Sequence, residues 1–248
     1  MKGLRFSLSL LLLFPLVSSL SISGVDNVSK IYPRKALFGL GNKKDKVALS
    51  HVSCSFSPAV TSIVGPSGSG KSTFTKAIIG LESLEEGNVN RTPPDSAYAF
   101  VDHLIRSSYD GEKSPDDYIS EQDAPALRKA LESFRITLDA PVSNLLESQR
   151  KTFEILLALA RTKEQGPYLV VLDEYLDKDI KSVRAQIYKN LLLLCKDENV
   201  KLQVLIITHS KSTFLECSDY TVVIHNGRLY DEGIPSKVRY PSQMAWLA

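Results

Sequence analysis

The chain has 248 residues, 43% of them hydrophobic, enough for one large domain or two small ones with a full core. Lys and Arg (30) nearly balance Asp and Glu (28), and a net charge of +2 gives no ground for nucleic acid or an anionic membrane as the main partner, so any phosphate affinity has to be local. Three sparse cysteines, Cys54, Cys195 and Cys217, form neither a disulfide framework nor a metal-ligand set and read as buried free thiols.

The N-terminus has the layout of a secretory signal peptide. Lys2 and Arg5 precede an apolar run over residues 8–17, broken by Pro15, and Ser18 and Ser19 follow as small residues for a cleavage site. The run is short for a membrane span; an uncleaved anchor and a misassigned start are the other readings. Residues 1–23 are therefore set apart as a targeting segment and 24–248 as the folded part. Residues 23–42 are mixed, with turn signals at Tyr32-Pro33 and Gly39-Leu40-Gly41. Residues 47–56 alternate loosely as a strand, and Val60–Val64 is a short β-branched run expected as a buried strand. A glycine-rich loop and a helix over 72–81 follow, then strands at 87–91 and 97–101. Residues 107–115 are polar and loop-like, and 116–138 and 144–162 have helical spacing. Apolar strands at 168–172 and 202–207 flank a helix over 182–195. Strands at 220–224 and 229–230 enclose Asn226-Gly227, a strong hairpin turn. Strands separated by helices predict a mostly parallel α/β sheet.

The loop Gly65-Pro66-Ser67-Gly68-Ser69-Gly70-Lys71-Ser72-Thr73 matches G-x-x-x-x-G-K-S between a strand and a helix. Such a loop curls backbone N–H groups inward around phosphate oxygens, which glycines permit, and the helix N-terminus adds its dipole. Lys71 would reach the β- and γ-phosphates and the Ser72 hydroxyl would ligate Mg2+. At the end of the 168–172 strand stand Asp173 and Glu174, beside the crevice where a parallel sheet binds ligand. Asp173 fits a Mg2+ role and Glu174 that of a base for an attacking water; a helix N-cap with an acidic first turn is the plainer alternative. The strand at 202–207 ends in Thr208-His209-Ser210, and His209 could donate a hydrogen bond to a γ-phosphate or be merely structural.

Taken in order, the Lys71 loop, the Asp173-Glu174 strand end, Ile207-Thr208-His209 and the closing hairpin from Ser218 to Gly233 resemble the ATP-binding-cassette (ABC) ATPases over nearly the whole chain after the leader. The resemblance implies a P-loop NTPase fold of α/β class: a RecA-like, mostly parallel core, a small antiparallel β part and an inserted helical subdomain near 104–162. It implies ATP and Mg2+ as cofactors, Tyr32 as the aromatic that stacks on adenine, and His103 in place of the family's usual Gln. The family's L-S-G-G-Q signature is replaced by Leu145-Leu146-Glu147-Ser148-Gln149, unless the motif starts at Val142-Ser143-Asn144. A carboxylate at Glu147 would oppose phosphate unless neutralised. Asp177 and Asp179 fall near the loop after Glu174, and Tyr175 replaces the usual Pro.

The implied function is that of an ATP-hydrolysing transporter subunit, partnered by a separate transmembrane permease and by a second cassette subunit with an intact signature. The alternative is a soluble ABC-type switch or assembly ATPase. A small-molecule kinase lacks support, because no Arg-rich lid is evident and the closing hairpin would be unexplained. The leader is read as an ER-routed or organellar address with the protein peripheral to a membrane; because ATP is scarce outside cells, a bipartite address leading to an organelle such as a plastid fits it.

Overall fold

The structure is a computed structural model, and it describes residues 21–33, 45–92, 97–122, 124–162 and 168–242. The leader residues 1–20 and the turn signal at Gly39-Leu40-Gly41 lie outside the described residues.

Two sheets form. The smaller is antiparallel, in the order β2-β1-β4, from β1 (Ser21–Tyr32), β2 (Lys46–Ser55) and β4 (Glu86–Thr92). The larger has the order β5-β6-β7-β3-β8-β9, built from β3 (Val60–Val64), β5 (Ala97–Val101), β6 (Tyr168–Asp173), β7 (Leu202–Thr208), β8 (Tyr220–His225) and β9 (Arg228–Gly233). Its first five strands run parallel, and β9 returns antiparallel to β8 through the Asn226-Gly227 turn. Asn226 and Gly227 both have positive φ (51° and 72°), the conformation a two-residue hairpin with the right twist requires.

The large sheet is covered on both faces, which is why its strands are apolar throughout rather than alternating. Val170 and Leu172 of β6 and Val204 and Ile206 of β7 face α2 (Pro125–Ser133), α3 (Glu147–Ala160) and α4 (Lys181–Lys196). Leu169, Val171, Leu205 and Ile207 face the opposite way, onto α1 (Lys71–Ile78) and the small sheet, through Phe74, Ile78, Val25, Val28, Leu49 and Val52. A short α5 (Lys211–Cys217) closes the core with Phe214 against Val64 and Val223.

Three expectations are corrected. The boundary at residue 23 cuts through β1: Ile22 is 1% exposed, and its backbone is clamped by Gln203, which accepts from the Ile22 N–H at 2.9 Å and donates to its carbonyl at 3.1 Å. The mixed character of residues 23–32 has a structural origin in the same strand. Register shifts between Val25 and Val28, with Asn27 at φ 52°, break the alternation that marks a strand in sequence. The long helix expected over 116–138 is a 3-10 turn at Pro115–Asp117 followed by α2 alone. Pro125 pre-sets the first helical turn of α2, and the chain leaves the helix through Arg135 at φ 57°.

Candidate functional site

The glycine-rich loop joins β3 to α1, and its curvature depends on glycine at specific places. Gly70 sits at φ 106°, and a Cβ there would lie 2.6 Å from the Ala48 carbonyl oxygen. At Gly65 a Cβ would collide with the backbone of Ile224. The loop is stitched to the closing hairpin: the Gly227 N–H donates to the Ser69 carbonyl at 2.8 Å, and the Gly227 carbonyl accepts from Ser50 N–H at 2.8 Å. Lys71 is buried, and its Nζ donates to the carbonyls of Gly65 (2.8 Å) and Pro66 (3.1 Å) inside the curl. Beside the curl lies an open cleft of about 340 Å3 lined by Lys46 and Ala48 of β2, by Gly68, Lys71, Ser72 and Thr73, and by Asn226 and Gly227.

The strand ends bring the other polar groups together. Asp173 closes β6, and in the β5–β6 register Val101 faces Leu172, so Asp102 follows next to Asp173. Glu174 turns out of the strand at φ 50°, a conformation few non-glycine residues adopt, with its N–H on the Ile207 carbonyl at 2.9 Å. Its Oε1 meets His209 Nδ1 at 2.9 Å. Asp177 sits beneath the pair: its carboxylate accepts from the Thr208 hydroxyl and lies 3.6 Å from His209 Nδ1. Burial raises the Asp173 pKa from its ordinary value, with Glu174 and Asp102 adding to the shift and Lys71 opposing it. Burial lowers the Lys71 pKa, against the pull of Glu174, Asp173 and Asp177. Asp173 and Glu174 are adjacent carboxylates at one strand end, and a divalent cation beside them would relieve their repulsion.

The residues meet expectation unevenly. Tyr32 ends β1, paired with the cleft residue Lys46, and the face of its ring lies 5.4 Å from Lys30 Nζ. His103 opens a 3-10 turn capped by Asp102, whose carboxylate accepts from Leu104 N–H at 2.7 Å; the side chain of His103 lies outside the described part. In Leu145-Leu146-Glu147-Ser148-Gln149, Leu145 is buried, Leu146 is 70% exposed, and Glu147 is the first residue of α3. The Glu147 carboxylate is gripped by Arg106 at 2.7 Å and by Arg150, so its charge is neutralised within the chain. Sequence reasoning missed Asp102 as the neighbour of Asp173, and it missed the network behind Glu174. There Lys151 of α3 donates to the Tyr175 carbonyl at 2.5 Å and to Asp179 at 2.7 Å. A lysine and a glutamate, Glu154, set among the apolar residues of α3 were the available signal, since buried charges need partners.

Comparison with known proteins bears on the family and the fold. The sequence model of the ABC transporter family matches residues 49–177. The Fe(3+) ions import ATP-binding protein FbpC 2 of Pectobacterium atrosepticum is 32% identical over 191 residues, covering 71% of this chain and 55% of that protein. The energy-coupling factor transporter ATP-binding protein EcfA of Pediococcus pentosaceus is 29% identical over 231 residues, covering 82% and 78%. The chain spans little more than half the length of FbpC 2, and likewise 58% of the sulfate/thiosulfate import ATP-binding protein CysA of Nocardia farcinica. Among solved structures, cbiO1 from Clostridium perfringens, part of the ABC transporter complex cbiONQ, superposes with a TM-score of 0.63 at 19% identity over 89% of this chain and 90% of that one. MJ1267, an ATP-binding cassette of an ABC transporter in its ADP conformation, gives 0.59 at 25% identity over 87% and 91%. The matched family, the P-loop between β3 and α1 and the shared fold together show that this chain belongs to the ABC transporter family and carries its ATP-binding cassette domain.

Proposed function

We propose that the chain is the ATP-hydrolysing subunit of an ABC transporter and works with a separate membrane partner. The observation that carries this reading is the Lys71 loop curled between β3 and α1, with Asp173 and the hydrogen-bonded pair Glu174–His209 at the ends of β6 and β7 in the same sheet. A phosphate fits the loop: Ser69 Oγ is buried without a hydrogen-bond partner, and the inward curl exists only because glycines stand where a Cβ would collide. Lys71 would exchange its bonds to the Gly65 and Pro66 carbonyls for β- and γ-phosphate oxygens. The backbone from Gly65 through Thr73 would hold the rest of the phosphate chain, and Tyr32, beside Lys46, would stack on the base. Among the described residues no cluster of three or more His, Cys, Asp or Glu could hold a metal ion unaided. Ser72 and Asp173 would therefore hold Mg2+ jointly with phosphate oxygens, the usual arrangement for this ion.

Mg-ATP, when bound, supplies an electrophilic γ-phosphorus and the charge that screens its attack. The protein's contribution is positional and electrostatic. Glu174 orients a water and accepts its proton; His209, joined to Glu174 at 2.9 Å, fixes that carboxylate and can offer its other ring nitrogen to the γ-phosphate. His103, following Asp102 at the end of β5, would lie at the same edge. Glu174→Gln is expected to cut ATP turnover at least ~100-fold, in the range of a lost general base, while ATP affinity changes little. Unchanged hydrolysis in that variant overturns the assignment.

No helix among the described residues is long and apolar enough to cross a membrane. The similar fold of cbiO1, itself part of the transporter complex cbiONQ, supports a membrane partner on a separate chain. Leu146 and the guanidinium-bound Glu147 support a second cassette subunit with an intact signature, because they offer no run of flexible backbone N–H donors to a neighbour's phosphate. The leader supports placement at an organellar membrane; a reporter fusion of residues 1–42 that stays cytosolic overturns it.

A further inference from the structure

We infer that Tyr175 is a positioning residue for Glu174, holding it in its turned-out conformation through the buried carboxylate of Glu154 on α3. This rests on the reading of Glu174 given above. The φ of 50° at Glu174 is unfavourable for a side chain with a Cβ, so it persists only where the flanking backbone is over-determined. Two anchors do this. On one side the Glu174 N–H is fixed to the Ile207 carbonyl at 2.9 Å. On the other side Tyr175, 5% exposed, is held at both ends of its residue. Its carbonyl accepts from Lys151 Nζ at 2.5 Å, its ring lies 4.2 Å from that ammonium, and its hydroxyl donates to Glu154 Oε2.

Glu154 is 0% exposed in the middle of α3. Its other oxygen, Oε1, accepts from the Tyr109 hydroxyl at 2.6 Å and lies 3.6 Å from Arg106 Nε and 3.8 Å from Arg150 Nε. Burial and the neighbouring carboxylate push both phenols upward in pKa, so both keep their protons and donate at any physiological pH. Arg106 and Arg150 are also the partners of Glu147. A continuous polar chain therefore runs from Glu147, at the start of α3, through Glu154 and the Tyr175 hydroxyl to the backbone next to Glu174.

Tyr109 makes the test specific, since it donates to the same carboxylate but has no link to Glu174. In the full-length protein, Tyr175→Phe and Tyr109→Phe each remove one phenol hydroxyl from Glu154 and keep the ring. The two are expected to lower thermal stability by similar amounts. Tyr175→Phe alone is expected to reduce kcat for ATP at least tenfold with KM within twofold, while Tyr109→Phe stays within twofold of the parent in both. A readout independent of turnover is the imidazole NMR signal of His209 in the nucleotide-free protein, assigned with a His209→Gln variant. It is expected to move in Tyr175→Phe and stay in Tyr109→Phe, because His209 touches Glu174. A parental His209 signal in Tyr175→Phe, equal kinetic losses in both variants, or a full kcat in Tyr175→Phe where Glu174→Gln is inactive each overturn the proposal. A displaced His209 signal together with turnover insensitive to Glu174→Gln upholds the positioning and overturns the base assignment instead.

Discussion

The seam between the closing hairpin and the glycine loop can be measured with two glycines of nearly equal φ. Gly227 has φ 72° and Gly68 has φ 75°. A Cβ at Gly227 would lie 2.6 Å from the Ala48 carbonyl oxygen and 3.1 Å from its carbonyl carbon, both rigid backbone atoms, whereas a Cβ at Gly68 meets nothing within 4 Å. Gly→Ala at either site carries the same left-handed penalty, about 1–2 kcal/mol, and the same loss of freedom in the unfolded chain. Only Gly227→Ala adds overpacking, about 1–3 kcal/mol more. At roughly 3 °C per kcal/mol for a domain of this size, Gly227→Ala should melt on the order of 5 °C below Gly68→Ala. The measurement is urea and thermal unfolding of the nucleotide-free proteins, since bound ligand would add its own stabilisation. Equal destabilisation by the two variants would refute the close approach of the turn to β2, and with it the claim that the hairpin braces the loop.

Two further outcomes are expected. Phe153, fully buried and edge-on to Tyr109 at 5.6 Å, anchors α3 in the helical layer. Phe153→Ala should therefore lower stability by about 3–5 kcal/mol, read from the urea midpoint. The raised pKa of Asp173 sets the sign of a pH effect. A carboxyl whose folded pKa lies above its unfolded value gives its full stability below the unfolded pKa and loses it as pH rises through the folded one. Asp173→Asn should accordingly raise the melting temperature of the nucleotide-free protein at pH 7, and the gain should vanish as pH falls below the carboxylate range. A gain that grows on acidification contradicts the placement of Asp173 among like charges.

Local chemistry made much of the site legible before any coordinates. The spacing of Gly65, Gly70, Lys71 and Ser72 specifies a loop that curls around phosphate. Apolar runs that end in Asp173-Glu174 and Thr208-His209 specify strand ends. Asn226-Gly227 specifies a hairpin. In each case the information lies within about ten residues, in φ requirements, β-branching and the polarity switch at the end of a buried strand. Local reading failed where the backbone departs from regular periodicity. The bulges in β1 hid that strand, and Pro125 and Arg135 confined α2 to a fraction of its apparent helical span.

What the sequence by itself determined is the inventory: a phosphate loop, two polar strand ends and an altered Leu145–Gln149 segment. Only the tertiary structure decided how they are coupled. Asp102 reaches Asp173 because β5 and β6 pair in register, and Gly227 braces Ser69 across more than 150 residues of chain. Glu147 is neutralised because the 3-10 turn that carries Arg106 packs beside α3. Tyr175, next to Glu174, meets the Glu154 carboxylate because α3 lies against the end of β6. Hydrogen bonds and ion pairs act over a few ångströms, so a linear sequence cannot show which distant residues fall within their reach; the packing of the two covered faces of the sheet sets that.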